Sequence, residues 1–378
     1  MRREELRTPC YIIDEDKLEN NLKILKSVEE ETGARILLAQ KAFSCFYEYP
    51  LIGSYISGAT ASGLYEARLG HEKMGKENHV FSPAYRSEDI IELNEICDHI
   101  IFNSVAQLLK HHKACTKASI GLRVNPECST QDGHDIYDPC APGSRLGVTL
   151  AQLQEAIRDG LDISLLEGLH FHTLCEQNSD DLAKTLGAFE DKFGKFLYQM
   201  KWLNMGGGHH ITREDYDIEL LKACITRIQE KYNVQVYLEP GEAIALNAGY
   251  LDTSVMDIVS NGDYKILILD ASAACHMPDV LEMPYRPPLK DSGEAGEKSF
   301  TYRLSSCTCL AGDVIGDYSF DREIKVGDRL EFQDMAIYSM VKNNTFNGMP
   351  LPDIAVTKAG DYKVIRSFEY SDFKNRLA

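Results

Sequence analysis

Between residue 35 and residue 239 eight short apolar, β-branched runs recur, with longer amphipathic stretches among them. The apolar runs are Arg35 to Gln40, Tyr55 to Gly58, His79 to Ser82, His99 to Asn103, Ser119 to Asn125, Leu165 to His172, Lys201 to Met205 and Val234 to Glu239. Around them lie Lys17 to Glu31, Ser62 to His71, Ser87 to Cys97, Leu150 to Gly160, Asp181 to Tyr198 and Tyr216 to Tyr232, whose apolar residues recur at the three- and four-residue spacing of a helix. Strand and helix in alternation build a parallel sheet covered by helices, and eight such units close it. The expected core fold is therefore an α/β chain in the form of a (β/α)8 TIM-type barrel.

After Gly241 the helical rhythm stops. Short strand-like runs follow at Tyr264 to Leu269, Phe300 to Leu304, Arg329 to Gln333 and Ile337 to Val341, which predict a separate β domain of sandwich or barrel-like form. Pro9-Cys-Tyr-Ile-Ile13 reads as one more strand, expected to join that domain from the other end of the chain. The expected division is residues 14–260 for the barrel and 261–378, with 1–13, for the β domain. Between two of the late strands, Arg286-Pro-Pro-Leu-Lys-Asp-Ser-Gly-Glu-Ala-Gly-Glu297 reads as a mobile or partner-facing loop.

Composition permits this and narrows the function. A chain of 378 residues with 44% hydrophobic content is long enough to bury one large core and a smaller one. No apolar run approaches the roughly 20 residues that span a bilayer, and Met1-Arg-Arg-Glu-Glu-Leu-Arg7 lacks the apolar core of a signal peptide, so a cytoplasmic protein is expected. The 11 cysteines are odd in number and irregularly spaced, which points to reduced thiols rather than a disulfide framework. A net charge of −18 argues against nucleic acid as a partner and suits a cationic substrate.

Functional atoms in such a barrel lie on the loops after the strands. Lys41 follows the first strand, His172 ends the sixth, Gly206 to Gly208 follow the seventh, and Glu239 ends the eighth. Taken singly, Lys41 is a surface lysine, the glycines are a flexible turn, and Glu239 caps Gly241 or pairs with an arginine. Taken together they suggest a pyridoxal phosphate enzyme. Desolvation in the mouth makes the lysine a nucleophile, the glycine amides wrap a phosphate, and the carboxylate faces a pyridine nitrogen. A metal-dependent barrel hydrolase is the competing class, because His170 and His172 share a strand face and His209 and His210 follow the next strand. Arg145, in Gly143-Ser-Arg-Leu-Gly147, is placed either to hold an anion or to form a structural salt bridge. In Ser306-Cys-Thr-Cys-Leu-Ala-Gly-Asp313 the second cysteine pair that zinc requires is missing, which leaves Cys309 as a candidate acid that returns a proton to carbon. Tyr338 has a hydroxyl suited to a phosphate, although a half-buried strand tyrosine is the plainer reading.

The set of motifs resembles the group III pyridoxal phosphate-dependent decarboxylases, which share the alanine racemase-like fold and include ornithine, diaminopimelate and carboxynorspermidine (carboxyspermidine) decarboxylases. The carboxynorspermidine subgroup is the nearest in pattern. The likeness rests on Leu37-Leu-Ala-Gln-Lys-Ala-Phe-Ser44, His170-Phe-His-Thr-Leu-Cys-Glu-Gln177, Asn204-Met-Gly-Gly-Gly208, Glu239-Pro-Gly-Glu-Ala243, His276-Met-Pro-Asp-Val-Leu-Glu-Met-Pro-Tyr-Arg286 and Thr345-Phe-Asn-Gly348. The resemblance implies pyridoxal 5'-phosphate as cofactor and a homodimer with active sites shared between subunits. It implies that Lys41 bears the cofactor, His172 stacks on it, Gly206, Gly207 and Gly208 hold its phosphate with Tyr338, and Glu239 faces its ring nitrogen. Cys309 matches the cysteine inserted by the partner subunit, with Asp313 near it.

Three positions depart from the wider family. Glu242 stands where Glu-Pro-Gly-Arg is usual, Cys175 replaces the serine of His-x-Gly-Ser, and Leu310 follows Cys309 where an aspartate is common. Losing a cation and gaining an acid suits a long polyamine tail, so Glu242, Asp279, Glu282 and Asp313 are the expected substrate contacts. The expected reaction is decarboxylation of carboxynorspermidine or carboxyspermidine to norspermidine or spermidine. Diaminopimelate decarboxylation on the same cofactor is the alternative that the missing arginine disfavours.

Overall fold

Strand β1 (Cys10–Asp14) and the helix Glu15–Thr32 precede the barrel. Eight parallel strands then close on themselves: β2 (Arg35–Ala39), β3 (Gly58–Ala61), β4 (Glu77–Ser82), β5 (His99–Phe102), β6 (Ser119–Arg123), β7 (Gly168–His170), β8 (Trp202–Asn204) and β9 (Gln235–Leu238), with β9 bonded back to β2. The computed structural model describes residues 1–131 and 138–378.

The barrel interior is filled by alternate residues of each strand, as the period of 2 requires. Trp202 is the only tryptophan of the chain. It lies inside because its neighbours leave room: a Cβ on Gly121 would sit 2.3 Å, and one on Gly168 2.0 Å, from its ring. His99 stacks on the same ring at 4.5 Å between centroids, and His79 stacks on His99 at 3.9 Å. Leu37, Ile101 and Tyr237 complete this layer.

The second barrel strand lies at Gly58–Ala61 rather than at 55–58. Apolarity drew the expectation to Tyr55 and Ile56, but the residues that pair are small because β4 runs against them, and a Cβ on Gly58 would lie 1.9 Å from the Glu77 carbonyl oxygen. The helices 15–32, 64–73, 87–96, 150–158, 179–197 and 218–232 fall where the spacing placed them. The helix Val105–His111 was not anticipated; Ser104 caps it by accepting the Gln107 N–H.

The other unit is a mixed sheet of eight strands. It adds β10 (Gly249–Asn261), β11 (Tyr264–Leu269), β12 (Phe300–Ser306), β13 (Val314–Phe320), β14 (Arg329–Gln333), β15 (Asp353–Lys358) and β16 (Asp361–Arg366) to β1. The order is β13-β12-β11-β10-β1-β15-β16, with β14 also on β10. β1 runs antiparallel to β10 and parallel to β15, so the N-terminal strand does join this sheet. Its core gathers Tyr11, Leu251, Leu267, Leu304, Tyr318 and Phe332.

Three expectations for this region change. The units divide at Asn20/Asn21 and Ile244/Ala245 instead of 13/14 and 260/261, since β10 pairs with β1, β11 and β14 and so belongs wholly to the sheet. Ile337 to Val341 is not a strand but a run of turns, in which Tyr338 has φ +50° and Ser339 bonds back to the Met335 carbonyl. The stretch 286–297 is held to the sheet: Leu289 is buried and bridges to Phe332, and Gly293 bridges to Ser319. All 11 cysteines are unpaired. Among the described residues no helix is long and apolar enough to cross a membrane.

Candidate active site

β2 ends at Ala39, and the next residues carry Lys41 out over the C-terminal end of the barrel. The backbone around it is fixed. Gln40 is buried, donates its N–H to Thr60 O at 3.1 Å and accepts the Tyr49 hydroxyl at 3.0 Å, while Ala42 and Phe43 are fully buried on the other side. Water reaches the Lys41 side chain, yet the walls of the mouth crowd it. Among the described residues it makes no hydrogen bond or ion pair. Crowding out of water lowers its pKa from the ordinary lysine value, and the Arg123 charge lowers it further against the opposing pull of Glu239. The amine is thereby biased toward its nucleophilic form.

Glu239 sits just past β9, 7% exposed. Its Oε1 accepts the Asn204 amide at 2.7 Å, and its Oε2 lies 3.3 Å from His170 Nε2. Burial alone would raise this carboxyl, but His170 and Asn204 outweigh it and bring it down to about 2. Burial lowers His170, so the neutral ring donates and Glu239 is the anion at neutral pH.

His172 lies two residues beyond β7 and not within it. Burial, then the charges of Lys41 and Arg123, hold it well below the ordinary histidine range. A neutral imidazole has one acceptor nitrogen, and here Nδ1 takes the Gly207 N–H at 3.1 Å, which puts the proton on Nε2.

The glycine turn is less open than three adjacent glycines suggest. A Cβ on Gly206 would sit 2.5 Å from Phe171 O, on Gly207 2.4 Å from Glu239 O, and on Gly208 2.1 Å from Leu174 O, so each glycine admits a neighbouring backbone. Gly206 and Gly208 also take φ of +71° and +81°. The Gly206 N–H goes to Asn204 Oδ1 at 2.8 Å and the Gly207 N–H to His172. Gly208 and His209 have N–H groups that donate to nothing among the described residues, so the amides open to an anion begin at Gly208.

The histidine tetrad of the competing metal reading does not come together as one group. His170 and His172 group with Glu239, His210 groups with Glu176 and Glu242, and His209 turns back to the Met205 carbonyl at 3.4 Å. Glu242 lies 3.4 Å from His210 Nε2. Arg145 is exposed beside a surface depression lined by Asn103, Asn125, Thr149 and Gln152, and its carbonyl accepts the Asn103 amide. No acid pairs with it among the described residues.

In the sheet unit, Cys309 is exposed on the turn after β12, its N–H held by Asn347 Oδ1 at 2.7 Å. Asp313 is not a free substrate contact: it is 1% exposed, and its carboxylate accepts the hydroxyls of Ser272, Ser306 and Thr308 and the Ala274 N–H. Burial raises its pKa, but those three hydroxyls outweigh it and hold the acid ionised. Asp279 and Glu282 are both bonded to the Lys342 ammonium. An incoming amine would have to compete with that lysine. Tyr338 is half-buried in its turn.

The sequence argument missed two residues. Arg123 is the one charge in the apolar run Ser119-Ile-Gly-Leu-Arg-Val124, and that isolation was the available signal. Asn204 heads the glycine motif, but nothing local to it shows that it reaches Glu239.

Pyridoxal phosphate needs an accessible amine, an anion for its ring nitrogen and donors for its phosphate. Lys41, Glu239 and the unengaged amides of Gly208 and His209 supply these, so the donor set fits.

Comparison with known proteins agrees. Residues 10–336 match the family described as pyridoxal-dependent decarboxylase, C-terminal sheet domain. The chain is 43% identical to a carboxynorspermidine/carboxyspermidine decarboxylase of Campylobacter jejuni over 99% of both chains. It is 40% identical to a carboxyaminopropylagmatine decarboxylase of Synechocystis, over 100% of this chain and 97% of that one. The crystal structure of carboxynorspermidine decarboxylase from Campylobacter jejuni complexed with norspermidine superimposes with a TM-score of 0.91 at 42% identity, covering 98% of this chain and 100% of the other. With a closed parallel barrel, a separate sheet and these relatives along its full length, the chain belongs to the pyridoxal-dependent decarboxylase family, in the group of the carboxynorspermidine/carboxyspermidine decarboxylases.

Proposed function

We propose that this chain removes the carboxylate of carboxynorspermidine or carboxyspermidine, releasing carbon dioxide and norspermidine or spermidine. The observation that carries this reading is the 43% identity over 99% of both chains with a relative of that activity. Bound pyridoxal 5'-phosphate supplies an electron sink for the pair that carbon dioxide leaves behind. Lys41 is the nucleophilic amine that holds it, and Glu239, kept anionic by Asn204 and His170, retains a proton at its ring nitrogen. His172 would offer a neutral ring face, and the Gly208 and His209 amides would receive the phosphate. Cys309 donates its thiol proton to the substrate's α-carbon. A cytoplasmic homodimer, in which Cys309 of one chain serves Lys41 of the other, completes the proposal.

One observation favours a second substrate. The 40% identity with the Synechocystis relative makes carboxyaminopropylagmatine, which ends in a guanidinium, a rival to the two carboxylated polyamines.

The test has two stages. Borohydride reduction of the protein loaded with pyridoxal phosphate should fix the cofactor to Lys41, and Lys41→Ala should abolish both the visible band near about 420 nm and turnover. Attachment to another lysine would overturn the site. Turnover of carboxynorspermidine, carboxyspermidine, carboxyaminopropylagmatine and diaminopimelate then decides the substrate, and a preference for either of the last two would replace the proposal.

A further inference from the structure

Arg123 is the last residue of β6, only 5% exposed, and no acid pairs with it among the described residues. A buried charge without a partner is costly, and such groups are kept where they act on something. Two contacts hold this one. Its guanidinium lies over the Phe81 ring at 4.7 Å, and its Nη2 donates to the His172 carbonyl at 3.3 Å. Phe81 in turn stacks at 5.4 Å on His170, the partner of Glu239. Burial lowers the Arg123 pKa to about 10, which still leaves a cation at neutral pH.

Topology decides what this cation faces. In a closed ring of eight strands, β2 and β6 are four places apart. Residues at their C-terminal ends look at each other across the barrel axis. Lys41 follows β2 and Arg123 ends β6, so two cations share one mouth. We propose that Arg123 is a positioning residue that readies Lys41: a guanidinium held across the same barrel mouth, with no carboxylate ion-paired to it among the described residues, makes the ammonium form the costly one.

Every charged neighbour of Lys41 enters this balance. Glu239 and Glu242, after β9, favour the ammonium, whereas Arg123 and crowding oppose it; the Cys175 thiol, after β7, is pushed up to about 12 by burial and stays neutral. His170 and His172 face the same space but are neutral. Without Arg123, two carboxylates would be left against crowding alone. The contact with the His172 carbonyl gives the same side chain a second effect, since it steadies the turn whose ring receives the Gly207 N–H.

The inference rests on Lys41 being the cofactor-bearing lysine, and its test is made before any cofactor is added, so the two readings fail separately. Trace acetylation of the full-length, cofactor-free chain with acetic anhydride, read lysine by lysine across pH, gives the midpoint at which each amine loses its proton. Lys41 should titrate below the ordinary lysine value. Arg123→Gln should move the Lys41 midpoint up by about one pH unit, roughly a tenfold slower reaction at neutral pH. Arg123→Lys, which keeps the charge, should retain most of the depression. An unchanged midpoint in a folded Arg123→Gln protein would overturn the proposal. If that variant does not fold, a wild-type Lys41 titrating at or above the ordinary lysine value would overturn it as well.

Discussion

Asn204 Nδ2 donates to Glu239 Oε1 at 2.7 Å while its Oδ1 accepts the Gly206 N–H at 2.8 Å, so one side chain fixes both the site's carboxylate and the first turn of the glycine loop. A carboxamide carries a donor and an acceptor side by side, which is what the two jobs require. Removing it leaves a buried anion short of a donor and a buried N–H without an acceptor.

Asn204→Ala should therefore lower stability by about 1–3 kcal/mol, seen as a lower urea midpoint with an unchanged m value. The Glu239 carboxyl should rise in the same variant. A urea midpoint equal to wild type would mean that water replaces the amide without loss.

Glu239 gives a signed pH dependence. Its folded pKa, about 2, lies below the ordinary 4.5, so its contribution to stability is complete above the ordinary value and is lost as pH falls toward about 2. Glu239→Gln should flatten that part of the acid limb in thermal melts taken from pH 5 downward. Turnover should fall on the order of 10²–10⁴-fold while Lys41 still captures the cofactor.

Gly207→Ala drives a Cβ to 2.4 Å from the Glu239 carbonyl oxygen, a backbone atom and not the end of a flexible side chain. We expect a loss of about 1–3 kcal/mol and weaker capture of pyridoxal phosphate, measured by titration of the visible band. Gly187→Ala is the control. That glycine is inside the helix Ser179–Leu197 with nothing within 4 Å of its would-be Cβ, so the protein should gain about 0.5–1 kcal/mol.

Asp313 supports the turn that carries Cys309 by accepting three hydroxyls and one N–H. Asp313→Ala should destabilise the protein by about 1–3 kcal/mol and, on the proposed role of Cys309, reduce kcat more than it raises KM, because it disturbs the turn that carries that thiol. A large rise in KM with kcat unchanged would restore the direct role first expected of it. Mixing Lys41→Ala with Cys309→Ala chains should recover activity that neither has alone, and no recovery would argue against shared sites.

The sequence by itself determined the barrel, because eight apolar runs and the helical spacing among them are local signals, and each repeat supports the next. It also singled out Lys41, the glycine turn and Glu239, since each stands at the end of a strand-like run. Tertiary structure decided what those residues have for neighbours. Nothing near Arg123 in the chain shows that β6 closes opposite β2, that Asn204 reaches across to Glu239, or that two of the three glycine N–H groups are already engaged. Nor does local sequence show that β10 leaves the barrel for the sheet, or that Asp279 and Glu282 already hold Lys342. Periodicity reports which face of an element is buried. Hydrogen bonds and charge pairs depend on which elements meet, and only the closed ring and the paired sheet bring those together.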